Sequence, residues 1–163
     1  MQARDFIKKY SAAFIDACKG TGLLPSVMMA QAAAEGGWGK SLLAREYHNH
    51  FGIKASKNAT NKVWLPTKEH VDGQVKNIHA WFRTYESVEE GFADRIEFLK
   101  KNPRYTKAGL FQARTPRQAI AALVQAGYAS DGGYFTLIQG IVNDYGLEEL
   151  DEELKKKSVG PQE

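Results

Sequence analysis

From Ala3 to Lys19 the residues Phe6, Ile7, Tyr10, Phe14, Ala17 and Cys18 recur every three or four positions, with Lys8, Lys9 and Asp16 between them. That period predicts an amphipathic helix, ended by Gly20 and Gly22. Pro25 suits the first turn of a second helix, which runs through Val27, Met28 and a run of alanines until Gly36 and Gly37 stop it. A short helical segment, Lys40 to Tyr47, follows.

At Asn49 the period changes. Phe51 to Lys54 reads as an extended piece and Ser56 to Asn61 as a polar loop. Val63 to Leu65 and Val75 to Tyr85 then flank Asp72-Gly73, a dipeptide that favours a tight hairpin turn. In the second of these runs Ile78, Ala80 and Phe82 alternate with His79, Trp81 and Arg83, as a strand requires.

Helical periodicity returns at Ser87, where Ser87-Val88-Glu89-Glu90 has the form of a capping box and Phe92, Ile96 and Leu99 supply the buried stripe. Pro103 closes that helix. Thr115 to Gln118 repeats the device ahead of Ala119, Ile120 and Leu123, with Gly127 as a C-terminal cap. A last helix, Tyr134 to Tyr145, presents Leu137, Ile138, Ile141 and Val142 to the core. From Glu148 the chain is acidic, then basic at Lys155 to Lys157, and is expected to fray. The reading is one mainly helical, α+β domain over residues 1–147, with a β-hairpin lobe at about 51–85 and a tail at 148–163.

With 43% apolar and 25% charged residues in 163, the composition is that of one globular domain, expected to be soluble and to work as a monomer. No apolar run approaches the roughly 18 residues that span a bilayer, and the charged N-terminus lacks the uninterrupted apolar core of a secretory leader, so the chain is expected either to be made without one or to have had it removed. A net charge of +3 is too small to indicate nucleic acid. Cys18, four after Phe14 on a helical face, reads as core filler rather than a reactive thiol.

The residue that asks for a chemical explanation is Glu35, in Ala30-Gln31-Ala32-Ala33-Ala34-Glu35-Gly36-Gly37-Trp38-Gly39. Alanines cannot hydrate a carboxylate, and the C-terminal end of a helix disfavours its ionised form, so both raise its pKa toward that of an acid able to donate a proton near neutral pH. Trp38 can wall the site, and the two glycines let the backbone turn the acid toward a cleft. On residue types alone, a solvated glutamate at a helix end fits as well. Glycoside hydrolysis commonly uses a second carboxylate, as base or as electrostatic partner, although a substrate N-acetyl group can also attack. Glu69, near the hairpin turn, can swing over a cleft or simply face solvent, whereas Asp72 belongs to the turn itself.

These segments resemble glycoside hydrolase family 73, bacterial endo-β-N-acetylglucosaminidases of peptidoglycan. The Ala30 to Gly39 run is similar to the family's A-Q-A-A-x-E-S-G-W-G helix, with Gly36 where serine is usual. Asn49-His50-Phe51-Gly52-Ile53-Lys54 resembles its N-L-F-G-I-K segment, Thr67-Lys68-Glu69 its T-x-E, and Gly127-Tyr128-Ala129-Ser130-Asp131 its G-Y-A-T-D block. The resemblance implies a lysozyme-like fold, a helical lobe and a small hairpin lobe with glycan between them. It implies that Glu35 is the general acid, Glu69 the second carboxylate on a mobile lobe and Tyr128 a cleft residue important to activity. Trp38, Asn49, Phe51, Lys54 and Asp131 would shape or line the groove. The substrate implied is peptidoglycan, cut by water after N-acetylglucosamine at the bacterial wall. A muramidase of the same fold and a wall-binding module without turnover are the alternatives, and the route to the wall stays open.

No cofactor is expected. Glu46, His48 and His50 offer metal-binding residue types, but a third ligand at motif spacing is missing, so no metal site is assigned. The histidines are expected to support the cleft or to face solvent. Trp64 and Trp81 either stack on sugar rings or pair across the hairpin. Phosphate loops, the G-x-S-x-G esterase motif and a basic-aromatic ladder for nucleic acid are absent from the sequence.

Overall fold

The helical and extended runs read from the sequence recur in a computed structural model, which describes residues 1–129 and 132–159, with side chains to residue 157. Its helices are α1 (Ala3–Cys18), α2 (Pro25–Gly36), α3 (Leu42–Tyr47), α4 (Val88–Lys101), α5 (Pro103–Lys107), α6 (Pro116–Gln125), α7 (Tyr134–Asp144) and α8 (Glu148–Val159). Strands β1 (Lys62–Val71) and β2 (Gln74–Arg83) form one antiparallel hairpin.

Helix α2 is central, packed against α1, α6, α7 and α8. Its composition explains that position. Val27, Met28 and Met29 fill the first turns, and Ala30, Ala32 and Ala33, all buried, keep the later turns slim enough for neighbours on several sides. The core continues through Phe14 and Phe92, whose rings stack at 4.1 Å and tie α1 to α4. Burying each such ring contributes about 2 to 3 kcal/mol. Cys18 lies in this core, where burial pushes its thiol pKa up to about 12, so it is held as an apolar side chain.

The predicted caps are made. Ser87 Oγ accepts from Glu90 N at 3.1 Å and Thr115 Oγ1 from Gln118 N at 3.2 Å, while Glu90 and Gln118 reach back to accept the amides of Glu86 and Arg114. Asp72 (φ 51°) and Gly73 (φ 77°) are both left-handed, the conformation of a two-residue type I′ turn. The extended piece after Asn49 joins the base of the hairpin: Arg83 N donates to Ile53 O at 3.0 Å and Ala55 N to Trp81 O at 2.9 Å.

Three expectations need correction. From Glu148 to Val159 the tail is not frayed but forms α8, which buries Leu150 and Asp151 against the domain just after the buried Leu147, while residues 160–163 lie outside the described residues. Asp151 accepts from Ser26 N at 2.9 Å and from Ser26 Oγ at 2.6 Å, and so caps the open N-terminus of α2 from the other end of the chain. Leu137 is 52% exposed, since Ile138 and Val142 form the buried seam of α7 and Leu137 lies to one side of it. Pro103 does not only close a helix; it opens the short α5.

Candidate active site

Glu35 is the last residue but one of α2. Gly37 caps the helix in the left-handed region (φ 61°), with its amide bonded to Ala33 O. Trp38 follows with φ 58°, a conformation that costs a bulky residue about 1 kcal/mol or more. Packing holds it there: the indole lies 5.7 Å from the Phe6 ring and 4.7 Å from Tyr145. Trp38 therefore anchors the turn after Glu35 from behind. The expected wall of the groove is not formed by Trp38, which lines neither hollow beside the acid.

Two hollows meet at Glu35 and Gly52. One, of about 310 Å³, lies toward the hairpin and is bordered by Ser41, Leu43, Leu65 and Thr67. The other, of about 450 Å³, is bordered by Phe51, Lys54, Arg95, Tyr128 and Tyr134. Together they form a groove that passes the carboxylate between the helical lobe and the hairpin, of a size suited to a chain of small rings.

Tyr128, just past the end of α6, donates its hydroxyl to Glu35 Oε1 at 2.5 Å. Arg95 is 1% exposed; its guanidinium sits 4.7 Å from the Tyr128 ring and 4.8 Å from the Phe51 ring and gives Nη2 to Gln31 Oε1 at 3.0 Å. Gln31 Nε2 in turn donates to Tyr134 Oη at 2.8 Å. Glu35 is exposed to water along the groove, and its carboxyl faces Tyr128 and Arg95 on the protein side. Burial is the largest influence on its carboxyl and raises the pKa, while the Arg95 charge and the Tyr128 hydrogen bond pull it down. Burial likewise holds Tyr128 well above the ordinary phenol range, so the hydroxyl keeps its proton and serves as a donor.

Arg95, Gln31 and Tyr134 were not singled out by sequence reasoning. A signal existed for Arg95: it lies between Phe92 and Leu99 on the apolar stripe of α4, where a cation needs a buried partner. Gln31, one polar residue in a buried alanine run, carried a weaker form of the same signal.

The remaining candidates are spread along the groove. Leu65, Thr67 and Glu69 share one hairpin face by strand alternation, and Glu69 Oε1 lies 2.5 Å from Lys54 Nζ. Glu69 borders neither hollow that touches Glu35. Asn49 is 2% exposed, and its amide is spent on the backbone, donating to Ile53 O and Arg83 O and accepting from the amides of Phe51 and Ile53. It shapes the groove by clipping the 49–53 loop to the base of the hairpin. Phe51, buried against Phe92, borders the same hollow as Lys54. Asp131 lies outside the described residues.

Two glycines set how closely the 48–50 segment docks. A Cβ on Gly36 would lie 3.0 Å from His50 O, and one on Gly91 only 2.4 Å from His48 O. His50 does not face solvent as one expectation had it: it is buried among the rings of Phe6, Tyr10 and Phe92, with neither ring nitrogen hydrogen-bonded. Among the described residues, no three His, Cys, Asp or Glu side chains cluster to hold a metal ion.

A larger hollow, about 600 Å³, lies away from Glu35 between the 56–61 loop and α4. Its central charges are spent on each other, Asp94 accepting from Arg83 Nη1 at 2.8 Å and from Tyr85 Oη at 2.5 Å. It serves to fix the base of the hairpin to α4.

The family model described as Glucosaminidase, mannosyl-glycoprotein endo-beta-N-acetylglucosaminidase, matches residues 11–147. The peptidoglycan hydrolase FlgJ of Salmonella typhimurium is 33% identical over 159 residues, which are 94% of this chain and 49% of that protein. A probable N-acetylmuramidase of Lactococcus lactis subsp. cremoris is 35% identical over 152 residues, 90% of this chain and 34% of that protein. Among solved structures, the catalytic domain of the autolysin Auto from Listeria monocytogenes has a TM-score of 0.80 at 35% identity, covering 91% of this chain and 87% of that one. This chain thus spans about half the length of FlgJ and about a third of the muramidase. The lysozyme-like arrangement of lobes and the extent of these matches place the chain in the glucosaminidase family, glycoside hydrolase family 73.

Proposed function

We propose that this chain hydrolyses the β-1,4 glycosidic bond after N-acetylglucosamine in peptidoglycan, with Glu35 as general acid and Glu69 as second carboxylate. The observation that carries the reading is Glu35 itself, a carboxyl with a raised pKa at the junction of two hollows, held by the Tyr128 hydroxyl. A general acid must be protonated before the leaving oxygen departs, and partial burial at a helix C-terminus favours that form. As the bond breaks, Glu35 gives its proton to the leaving oxygen. Positive charge then grows on the sugar ring, and Glu69 either balances it or activates water.

In the Lys54–Glu69 pair the lysine side chain is 54% exposed and the glutamate 30%, and such water-exposed pairs contribute less than about 1 kcal/mol. Glu69 is therefore cheaply released toward substrate when the hairpin moves. The proposed working unit is a monomer acting at the bacterial wall.

The name of the Lactococcus relative supports a second reading, cleavage after N-acetylmuramic acid by the same two acids. Digestion of purified peptidoglycan, borohydride reduction and mass spectrometry of the new ends separates the readings. Reduced N-acetylglucosamine ends are expected. Reduced muramic acid ends would make the chain a muramidase, and bound wall without new ends would make it a binding module.

A further inference from the structure

The hairpin has two faces, and the groove uses one of them. Because the I′ turn closes on a hydrogen-bonded rung at Val71↔Gln74, the alternate rungs Trp64↔Trp81, Pro66↔His79, Lys68↔Asn77 and His70↔Val75 lack ladder hydrogen bonds. Pro66 thus costs the ladder nothing. By strand alternation, these rungs share the face opposite Leu65, Thr67 and Glu69.

That outer face is aromatic and cationic. The Trp64 ring stacks on His79 at 5.7 Å and 19° and lies 5.0 Å from Trp81, and Lys62 Nζ sits 4.5 Å over Trp81. A cross-strand aromatic pair stabilises a hairpin, which accounts for the contact between the two indoles. It does not account for Trp64 remaining 51% exposed, nor for the charge. Among residues of the two strands, Lys62, Lys68, His70, His79 and Arg83 lie on this face and no Asp or Glu does; Arg83, at the base, is spent on Asp94 of α4, and Glu69, the one acid within the two strands, points to the other side.

We propose that the outer face of the hairpin is a second glycan-binding site, distinct from the Glu35 groove, with Trp64 and His79 as the stacking platform and Lys62 and Lys68 as its cationic rim. The ligand class is a β-linked N-acetylated glycan bearing carboxylates. Pyranose rings present apolar C–H faces that stack on aromatic side chains, and the acid-free cationic rim complements the carboxylates of the peptide stems on a peptidoglycan strand. The inference rests on peptidoglycan being the substrate. Its consequence is that the chain holds an insoluble strand at two places while the groove cuts at one.

The test is cosedimentation of the full chain with insoluble peptidoglycan in the Glu35→Gln background, comparing Trp64→Thr, Trp64→Tyr and the double reversal Lys62→Glu/Lys68→Glu. Threonine and tyrosine both favour strands, so the hairpin is kept, and tyrosine restores a stacking face. Retention is expected to fall about tenfold with Trp64→Thr, to recover with Trp64→Tyr, and to fall with the charge reversal. With Glu35 intact, Trp64→Thr is expected to slow digestion of insoluble wall and leave short soluble glycan fragments cut at the parent rate. Unchanged retention in both Trp64→Thr and the charge reversal would overturn the second site, as would an equal loss of activity on soluble fragments, which would make Trp64 structural. Cutting without Trp64-dependent retention would reject this site and keep the hydrolase; Trp64-dependent retention without cutting would do the reverse.

Discussion

The Tyr128 hydroxyl donates to Glu35 Oε1 at 2.5 Å, joining a residue beyond α6 to the end of α2 across 93 positions of sequence. A hydrogen bond donated to the carboxylate favours its ionised form, so Tyr128 opposes the rise that burial imposes on Glu35. Removing it is expected to have two effects. Tyr128→Phe should lower kcat by about ten- to a hundredfold through loss of a positioned donor. It should also move the basic limb of the pH–rate profile to higher pH, because the acid then keeps its proton longer. A pH profile of the purified variant checks both.

Arg95 acts on the same carboxyl from α4. Its charge lowers the Glu35 pKa, and its guanidinium packs on the Tyr128 ring. Groups facing Glu35 across the site are Tyr128, Tyr134 and Arg95, so loss of the one buried cation leaves burial less opposed. Arg95→Met, which keeps much of the apolar volume, is expected to shift the basic limb upward, and Arg95→Lys to shift it less. Profiles that coincide with the parent would remove Arg95 from the account.

Much of this fold is legible in the sequence because it is encoded locally. Periodicity marks α1, α4, α6 and α7, Asp72-Gly73 marks the hairpin, and Ser87 and Thr115 mark two helix starts. What is hidden depends on partners far away in sequence. Nothing near Glu148 says that Asp151 will meet Ser26, and nothing near Phe92 says that Arg95 will meet Gln31 and Tyr128. Glu35 is legible as a candidate from its own neighbours, whereas Trp38 misleads: its proximity in sequence suggests a wall, and its left-handed backbone turns it onto Phe6 and Tyr145 instead.

Asp151→Ala should expose the cost of losing the cap on α2. Ser26 N and Oγ both lose their acceptor, a loss of about 1 to 3 kcal/mol. The expected fall in Tm is roughly 3 to 10 °C, read by calorimetry.

His50 stands where the family motif has leucine, and its surroundings are apolar. Burial lowers its pKa from 6.5 to about 4, with His48 adding to the shift; Tyr10 faces it from α1. Folded His50 therefore stays neutral while the unfolded chain takes up a proton. Its contribution is intact above about pH 6.5 and is lost between there and about pH 4, up to roughly 3 kcal/mol. His50→Leu is expected to flatten this acid limb of stability. Chemical denaturation at pH 7 and pH 4.5 compares the two chains.

The central claim is that Glu35 supplies the proton that breaks the glycosidic bond, and the most direct measurement is peptidoglycan turnover by Glu35→Gln beside the parent, with Tm recorded for both. Glutamine keeps the shape and removes the proton, so turnover should fall by about a thousandfold or more with Tm little changed, and Glu69→Gln should fall by a smaller factor. Parent-level turnover in a folded Glu35→Gln chain would contradict the account.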